Sequence, residues 1–313
     1  MHQFKITKID SNIDSSDLIA ALTLGMALLG IAAAAILIVI AEQEIGPNAT
    51  TFNRLGIAAI AFGLWNVLKR LASSQMDVQP TFVLGDLGLL LIAGVSFALS
   101  LTLWAWSLTQ TSVANSTLLN NMMPIFTTLG AWVLLHQRFE LKFLLGMAIA
   151  LGGAVTICIE DLQVAENNIV GDTAALLAAM LSATSILSIE QLRAKFSTPI
   201  IMLWTSLIGS LLLFPIALLS ESQLFPTSWR SWLAVIALGI VSQFIGQGLL
   251  TYSLKRFSSG LVAVSMLAIP VIAAILATVV LSEKLSLVNW LAFLVVLLGI
   301  YLAVSAQDTD TDN

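Results

Sequence analysis

Cysteine occurs once, at Cys158, so the chain cannot close an intramolecular disulfide. The two histidines, His2 and His136, stand far apart in sequence and leave no His/Cys cluster for a metal. Charge is also scarce. Only 10% of the 313 residues carry it, where soluble domains carry about 25%. Net charge is −5, with much of the acid in the tails (Asp10, Asp14, Asp17, Asp308, Asp310, Asp312), so no basic surface suits nucleic acid. No GxxxxGK[ST] loop is present, which argues against ATP as the driver, and no cofactor is expected. HExxH, GxSxG and paired intramembrane carboxylates are missing as well, so an enzyme is not expected.

Hydrophobic residues make up 58% of the chain and mean hydropathy is +0.97. A bilayer core about 30 Å thick takes about 20 apolar residues per helical span. Apolar runs and their breaks predict ten helices over 18–41, 50–68, 83–106, 113–135, 142–159, 171–192, 199–219, 231–254, 259–281 and 286–305. The breaks carry turn or charge signals at Gly46-Pro47, Gln79-Pro80, Glu160-Asp161, Gly171 and Phe225-Pro226. The first run exceeds the roughly 7–15 residues of a signal-peptide core and is read as a retained helix. The expected fold class is therefore an all-α polytopic membrane protein.

Ten spans put both termini on one side. If that side is the cytoplasm, it holds Lys5, Lys8, Lys69, Arg70, Arg138, Lys142, Arg193, Lys195, Lys255 and Arg256. The far side keeps only Arg54, Arg230 and Lys284. The positive-inside rule then predicts cytoplasmic termini, with the plasma (inner) membrane as the expected location.

An internal repeat runs at an offset of 146. Pro270 falls on Pro124, Ser242 on Ser96, Tyr252-Ser253-Leu254 on Trp106-Ser107-Leu108, Leu281 on Leu135 and Gly299 on Gly153. Five spans per half is odd, so the halves insert with opposite orientation, an arrangement that transporters use around a midplane site. The expected divisions are a polar tail over 1–17, repeats over 18–160 and 169–306, and an acidic tail over 307–313.

Two stretches carry a family likeness: LLTYSLKRFSSGLVAVSMLAIPVIAAILATVVLSEKLS (Leu249–Ser286) and its weaker copy LWAWSLTQTSVANSTLLNNMMPIFTTLGAWVLLHQRFE (Leu103–Glu140). In them the chain resembles the drug/metabolite transporter superfamily in its EamA-type ten-helix form, along nearly its whole length. The family pattern is an aromatic-small-Leu helix end, then a Pro-centred helix closing on a Glu. Arg54 and Gly171-Asp172 fit it too. The departures are Gln137, preceded by His136, where the second half has Glu283, and Ser107 and Ser253 where the family usually has Ala. The resemblance implies a carrier of small organic molecules and leaves the solute open.

Candidate site residues follow from what hydrocarbon tolerates. Pro124 frees the carbonyl of Asn120 and Pro270 that of Met266, so both prolines are read as hinges. Asn120 and Asn121 lie about 100° apart on a helix, so one is expected to face a lumen and the other a neighbouring helix. Gln243, Gln247 and Thr251 form a polar stripe at i, i+4, i+8, and Ser96, Ser100 and Trp104 form a similar one. The stripes suit cavity lining or helix–helix glue, while Ser182 and Ser185 are read as packing contacts. Trp229, Trp232 and Trp290 are expected in the interfacial belt. Trp104, Trp106 and Tyr252 either join it or flank a substrate. Arg54, Asp86, Asp172 and Glu190 fall near helix ends. Glu190 is a candidate for proton coupling or for pairing with Arg193; Arg54 either attracts an anionic group at the outer mouth or anchors its helix.

The leading expectation is a secondary transporter, an exporter or exchanger, working by alternating access on a small organic metabolite. A membrane-embedded enzyme or a channel-like permease is the alternative. Partners are the lipid bilayer and the small-molecule substrate, with monomer and homodimer both open.

Overall fold

In hydrocarbon every backbone N–H and C=O must be satisfied inside its own segment, and an apolar chain meets that demand with helices. The computed structural model describes residues 15–72, 82–111, 113–160, 169–281 and 287–307, and every regular element among them is helical. Glu283, Lys284, Lys5, Lys8, Asp161, the Gln79-Pro80 break and most of both tails lie outside the described residues.

The elements are α1 (Ser15–Ala32), α2 (Ala34–Ala41), α3 (Pro47–Ala72), α4 (Leu84–Gln110), α5 (Val113–Asn120), α6 (Met123–Leu134) and α7 (Leu141–Glu160). Then come α8 (Ile169–Arg193), α9 (Thr198–Ser220), α10 (Trp229–Ala237), a π-helical stretch π1 (Leu238–Gln247), α11 (Gly248–Ser253), α12 (Ser259–Ser265), α13 (Ala268–Leu281) and α14 (Leu287–Gln307). Eight helices among the described residues are long and apolar enough to cross a bilayer, and Leu141–Thr156 is a shorter apolar helix. Their outward faces expose large apolar side chains such as Leu22, Ile60, Leu64, Leu211 and Leu294, a surface that only lipid tolerates at this extent. The inward faces are small: Ala27, Ala58, Ala93, Ala150, Ala178 and Ala303 are buried, letting backbones approach closely. The chain is an all-helical, multi-pass integral membrane protein.

Four of the expected helices are interrupted, the first of them, 18–41, at Ala33 between α1 and α2. The run 113–135 divides into α5 and α6 at a turn over Asn121-Met122, so neither piece alone spans a membrane. The run 259–281 divides into α12 and α13 at Met266-Leu267. In both cases the proline follows within four residues, because its ring cannot continue the bond pattern of the preceding turn. Val113 and Ser259, which open α5 and α12, are 146 apart (259 − 113). The fourth interruption is π1, inside the expected helix 231–254.

Packing follows the same offset. α3 lies on α9, α7 on α14, α4 on α8, and α1 on π1 and α11. In the α7–α14 crossing, a Cβ on Gly153 would meet Val296 N at 2.8 Å and Ala292 O at 3.0 Å. A Cβ on Gly299 would meet the Ala150 backbone and Gly146 O, the latter at 2.7 Å. Adding 146 to 150, 146 and 153 gives 296, 292 and 299, so each contact is the image of the other.

Candidate functional site

The polar stripe of Gln243, Gln247 and Thr251 needs a polar or wet neighbour, since lipid offers no partner. It lines a cavity of about 60 Å³. Facing it are Phe97 of α4, Met123 of α6, Ser182 and Ser185 of α8, and Met202 and Thr205 of α9. The wall is neutral: apolar side chains predominate and none of the lining residues is charged. Such a surface takes an organic solute rather than a bare ion.

The wall bearing Gln243 and Gln247 is π1, where the backbone opens to a wider turn; π segments often mark functional positions. The stretch LGIVSQFIGQ, with Gly248 after it, is glycine-rich, and α1 and α3 exploit that. A Cβ on Gly30 would meet Gly246 Cα at 3.2 Å, and one on Gly239 would meet Ile57 Cβ at 2.7 Å. Behind this wall lies Arg54. It is buried, with Nε donating to Gln243 Oε1 at 3.0 Å and Nη2 to Ser242 Oγ at 3.1 Å. The sequence placed Arg54 at a helix end in reach of the interface; instead its side chain turns inward against π1. Arg193 behaves alike at the far end of the rod that π1 and α11 form together, donating from Nε to Thr251 O at 3.0 Å and from Nη1 to Phe196 O at 2.7 Å. The expected Glu190–Arg193 pair is therefore replaced by bonds to carbonyl oxygens.

Glu190 instead joins the two halves. Its Oε1 accepts from Gln137 Nε2 at 2.9 Å and from Ser259 N at 3.2 Å, where α12 begins. Gln137 is delivered there by His136, whose φ of 55° ends α6 in the left-handed conformation that glycine usually fills. Glu190 Oε2 and Gln137 Oε1 are buried without a hydrogen-bond partner. Asp86 holds Lys195 at 2.8 Å and Asp172 accepts from Thr111 Oγ1 at 2.7 Å.

The remaining candidates stand off the cavity in this conformation. Asn120, Asn121 and Trp104 are half-buried, and Asn121 Nδ2 and Trp104 Nε1 have no hydrogen-bond partner. Tyr252 is exposed. Pro124 is buried at the start of α6 and Pro270 is half-buried near the start of α13, where Met266 O is answered by Ile269 N at 2.9 Å. Among residues the sequence did not single out for the cavity, Phe97, Met123 and Met202 line it. Ser182 and Ser185, read as packing contacts, line it too, although Ser185 also packs by donating to Ala93 O at 2.9 Å.

Two carboxylates clamp the segments between helices. Glu221 accepts from Asn48 N at 2.7 Å and Ala49 N at 3.0 Å at the start of α3. Glu44 accepts from Thr227 N at 2.9 Å and Ser228 N at 3.0 Å before α10. Donors on Ser228, and then Thr227, lower the Glu44 carboxyl to about 2. Burial, followed by the Glu221 charge, pushes Glu42 upward.

The profile of the EamA-like transporter family matches residues 18–159 and 169–305. The pseudopaline exporter CntI of Pseudomonas aeruginosa (strain UCBPP-PA14) is 26% identical over 177 residues, 56% of this chain and 61% of that protein. An uncharacterized transporter of Archaeoglobus fulgidus is 26% identical over 191 residues, 59% of this chain and 65% of that protein. Both matches thus span just under two thirds of the relatives' own length. A solved crystal structure 20% identical in sequence superposes with a TM-score of 0.76, covering 92% of this chain and 98% of the other. That likeness is one of fold.

Proposed function

Because the chain belongs to the EamA-like transporter family, we propose that it is a secondary transporter moving a small organic metabolite by alternating access. In this reading ten spans form two inverted halves, residues 18–160 and 169–306, with both termini cytoplasmic in the plasma (inner) membrane. The image-related glycine contacts of α7 and α14 and the two proline breaks support the repeat. Export is the proposed direction, carried over from the relative named as an exporter.

The observation that carries the reading is the neutral cavity walled by both halves, Phe97 and Met123 from the first and Gln243, Gln247 and Thr251 from the second. Inverted repeats change access by exchanging conformations. Under the offset of 146, Leu250 and Met266 of the present lining correspond to Trp104 and Asn120 (250 − 104 and 266 − 120). The oppositely facing state would then bring Trp104 and Asn120 to the cavity, while Pro124 and Pro270 absorb the bending.

Counterflow into vesicles of purified protein, tested on a panel of labelled metabolites, decides the matter. Saturable counterflow supports a carrier. Ohmic current without counterflow, or chemical change of the solute without movement, overturns it.

A further inference from the structure

A cation inside a membrane is expensive, and it usually pairs with a carboxylate or with backbone carbonyls, or lines water. Arg54 and Arg193 are 7% and 8% exposed, yet neither has a carboxylate partner among the described residues. Nearby carboxylates are committed elsewhere: Asp86 to Lys195, Glu190 to Gln137 and Ser259, Glu221 to the start of α3. Both guanidiniums bond groups of one rod, and both do so at cavity-lining residues, Gln243 and Thr251.

A guanidinium only donates, so Arg54 decides which way round the Gln243 amide lies. Oε1 turns to the arginine, which leaves Nε2 as the free donor of a residue that lines the cavity. The positive charge polarises that donor and, in a medium of low dielectric with a neutral lining, its field reaches the cavity little diminished. Arg193 acts eight residues along the rod, at Thr251, about 12 Å away at 1.5 Å per residue. The potential is thus positive along the length of the wall rather than at one point.

We propose that this cavity selects solutes bearing a carboxylate, read by the Gln243 amide with Arg54 behind it, and that Arg193 extends the same preference toward the other end. The inference rests on the cavity being the transport site. The distance from the guanidinium through one amide and two hydrogen bonds is about 8 Å. At an effective dielectric of about 20, one charge at that distance is worth about thirtyfold in affinity.

The test uses the purified full chain and matched probes: small carboxylic acids, their primary amides and the corresponding amines, with binding read by calorimetry. Wild type should bind acids at least ~tenfold more tightly than amides, and amines least. Arg54→Gln should lose about thirtyfold for acids and little for amides, while Arg54→Lys keeps the preference. Amides or amines binding as well as acids, no acid binding at all, or an equal loss for acids and amides in Arg54→Gln overturns the proposal. If Arg54→Gln does not fold, the wild-type comparison of acid with amide decides alone. Acid preference without counterflow would sink the carrier and leave the anion site. Counterflow of neutral solutes without acid preference would do the reverse.

Discussion

Replacing Gly299 with alanine tests the close crossing of α7 and α14. The new Cβ would press on the Ala150 backbone and lie 2.7 Å from both Ala150 Cα and Gly146 O. These are backbone atoms, which cannot rotate away, so α7 and α14 must separate. Overpacking of this kind costs about 1–3 kcal/mol, and the gain in helix propensity returns at most about 1. The net expectation is a loss of about 1–2 kcal/mol. Gly153→Ala should cost a similar amount against Val296 and Ala292, being the image of the same contact. The double variant should cost less than the sum, because the second methyl enters a gap the first has opened. Gly152→Ala, one residue from Gly153 and exposed with nothing near its Cβ, is the control and should be neutral or mildly stabilising. Thermal unfolding in detergent measures all four. A Gly299→Ala protein at least as stable as wild type would refute the close crossing and the symmetry drawn from it.

Glu44 has a folded pKa of about 2, below its ordinary 4.5, so its contribution is fully present above 4.5 and disappears as pH falls through about 2. The deficit in Tm of Glu44→Gln should shrink over that window; a constant deficit would show that its charge is not involved. Glu42 is shifted the other way, so its ionised form weighs against the fold. Glu42→Gln should raise Tm at neutral pH and lose that advantage in acid, and a lower Tm at neutral pH would contradict it. Asn121→Leu removes a buried, unpartnered amide nitrogen and should stabilise this conformation by about 1 kcal/mol, read as Tm, with a fall in Tm as the failing result. Gln247→Leu deletes a polar group of the cavity wall and should weaken apparent substrate affinity about tenfold in counterflow; unchanged kinetics would remove Gln247 from the site. Pro124→Ala and Pro270→Ala should slow counterflow more than they reduce membrane insertion, and unchanged rates in both would dispose of the hinges.

What was legible in the sequence was set by the solvent. A proline or a glutamine within a run of hydrocarbon-soluble residues has few permitted settings, so the breaks beside Pro124 and Pro270 and the placing of Gln243, Gln247 and Thr251 on one helix face could be read from spacing, while the choice between cavity and neighbouring helix could not. Arginine was not legible in this way. Its long side chain can snorkel to the interface or turn inward, and the choice depends on which helix lies beside it. For Arg54 the neighbour is π1, against which Gly30 and Ile57 pack closely from other helices. No local pattern encodes that approach. Tyr252 stands off the cavity for a related reason: one residue beyond Thr251 on a helix points about 100° away, so the stripe and the aromatic cannot share a wall.

The offset also shows where the two halves have parted. Gln243 and Phe97 are images (243 − 97 = 146), and both line the cavity. Gln247 and Thr251 answer to Leu101 and Ala105. The polar groups are thus concentrated on one wall, Gln243, Gln247 and Thr251 of π1 and α11, with Arg54 of α3 and Arg193 of α8 bonded to it from behind. A symmetric site would offer a solute two equivalent orientations and divide its binding energy between them. In the proposed carrier, a one-sided wall would fix a single orientation, with the acceptor end of the solute on Gln243 and the rest against Phe97 and Met123. The shared scaffold would then supply the motion, and the divergence between the halves the selectivity.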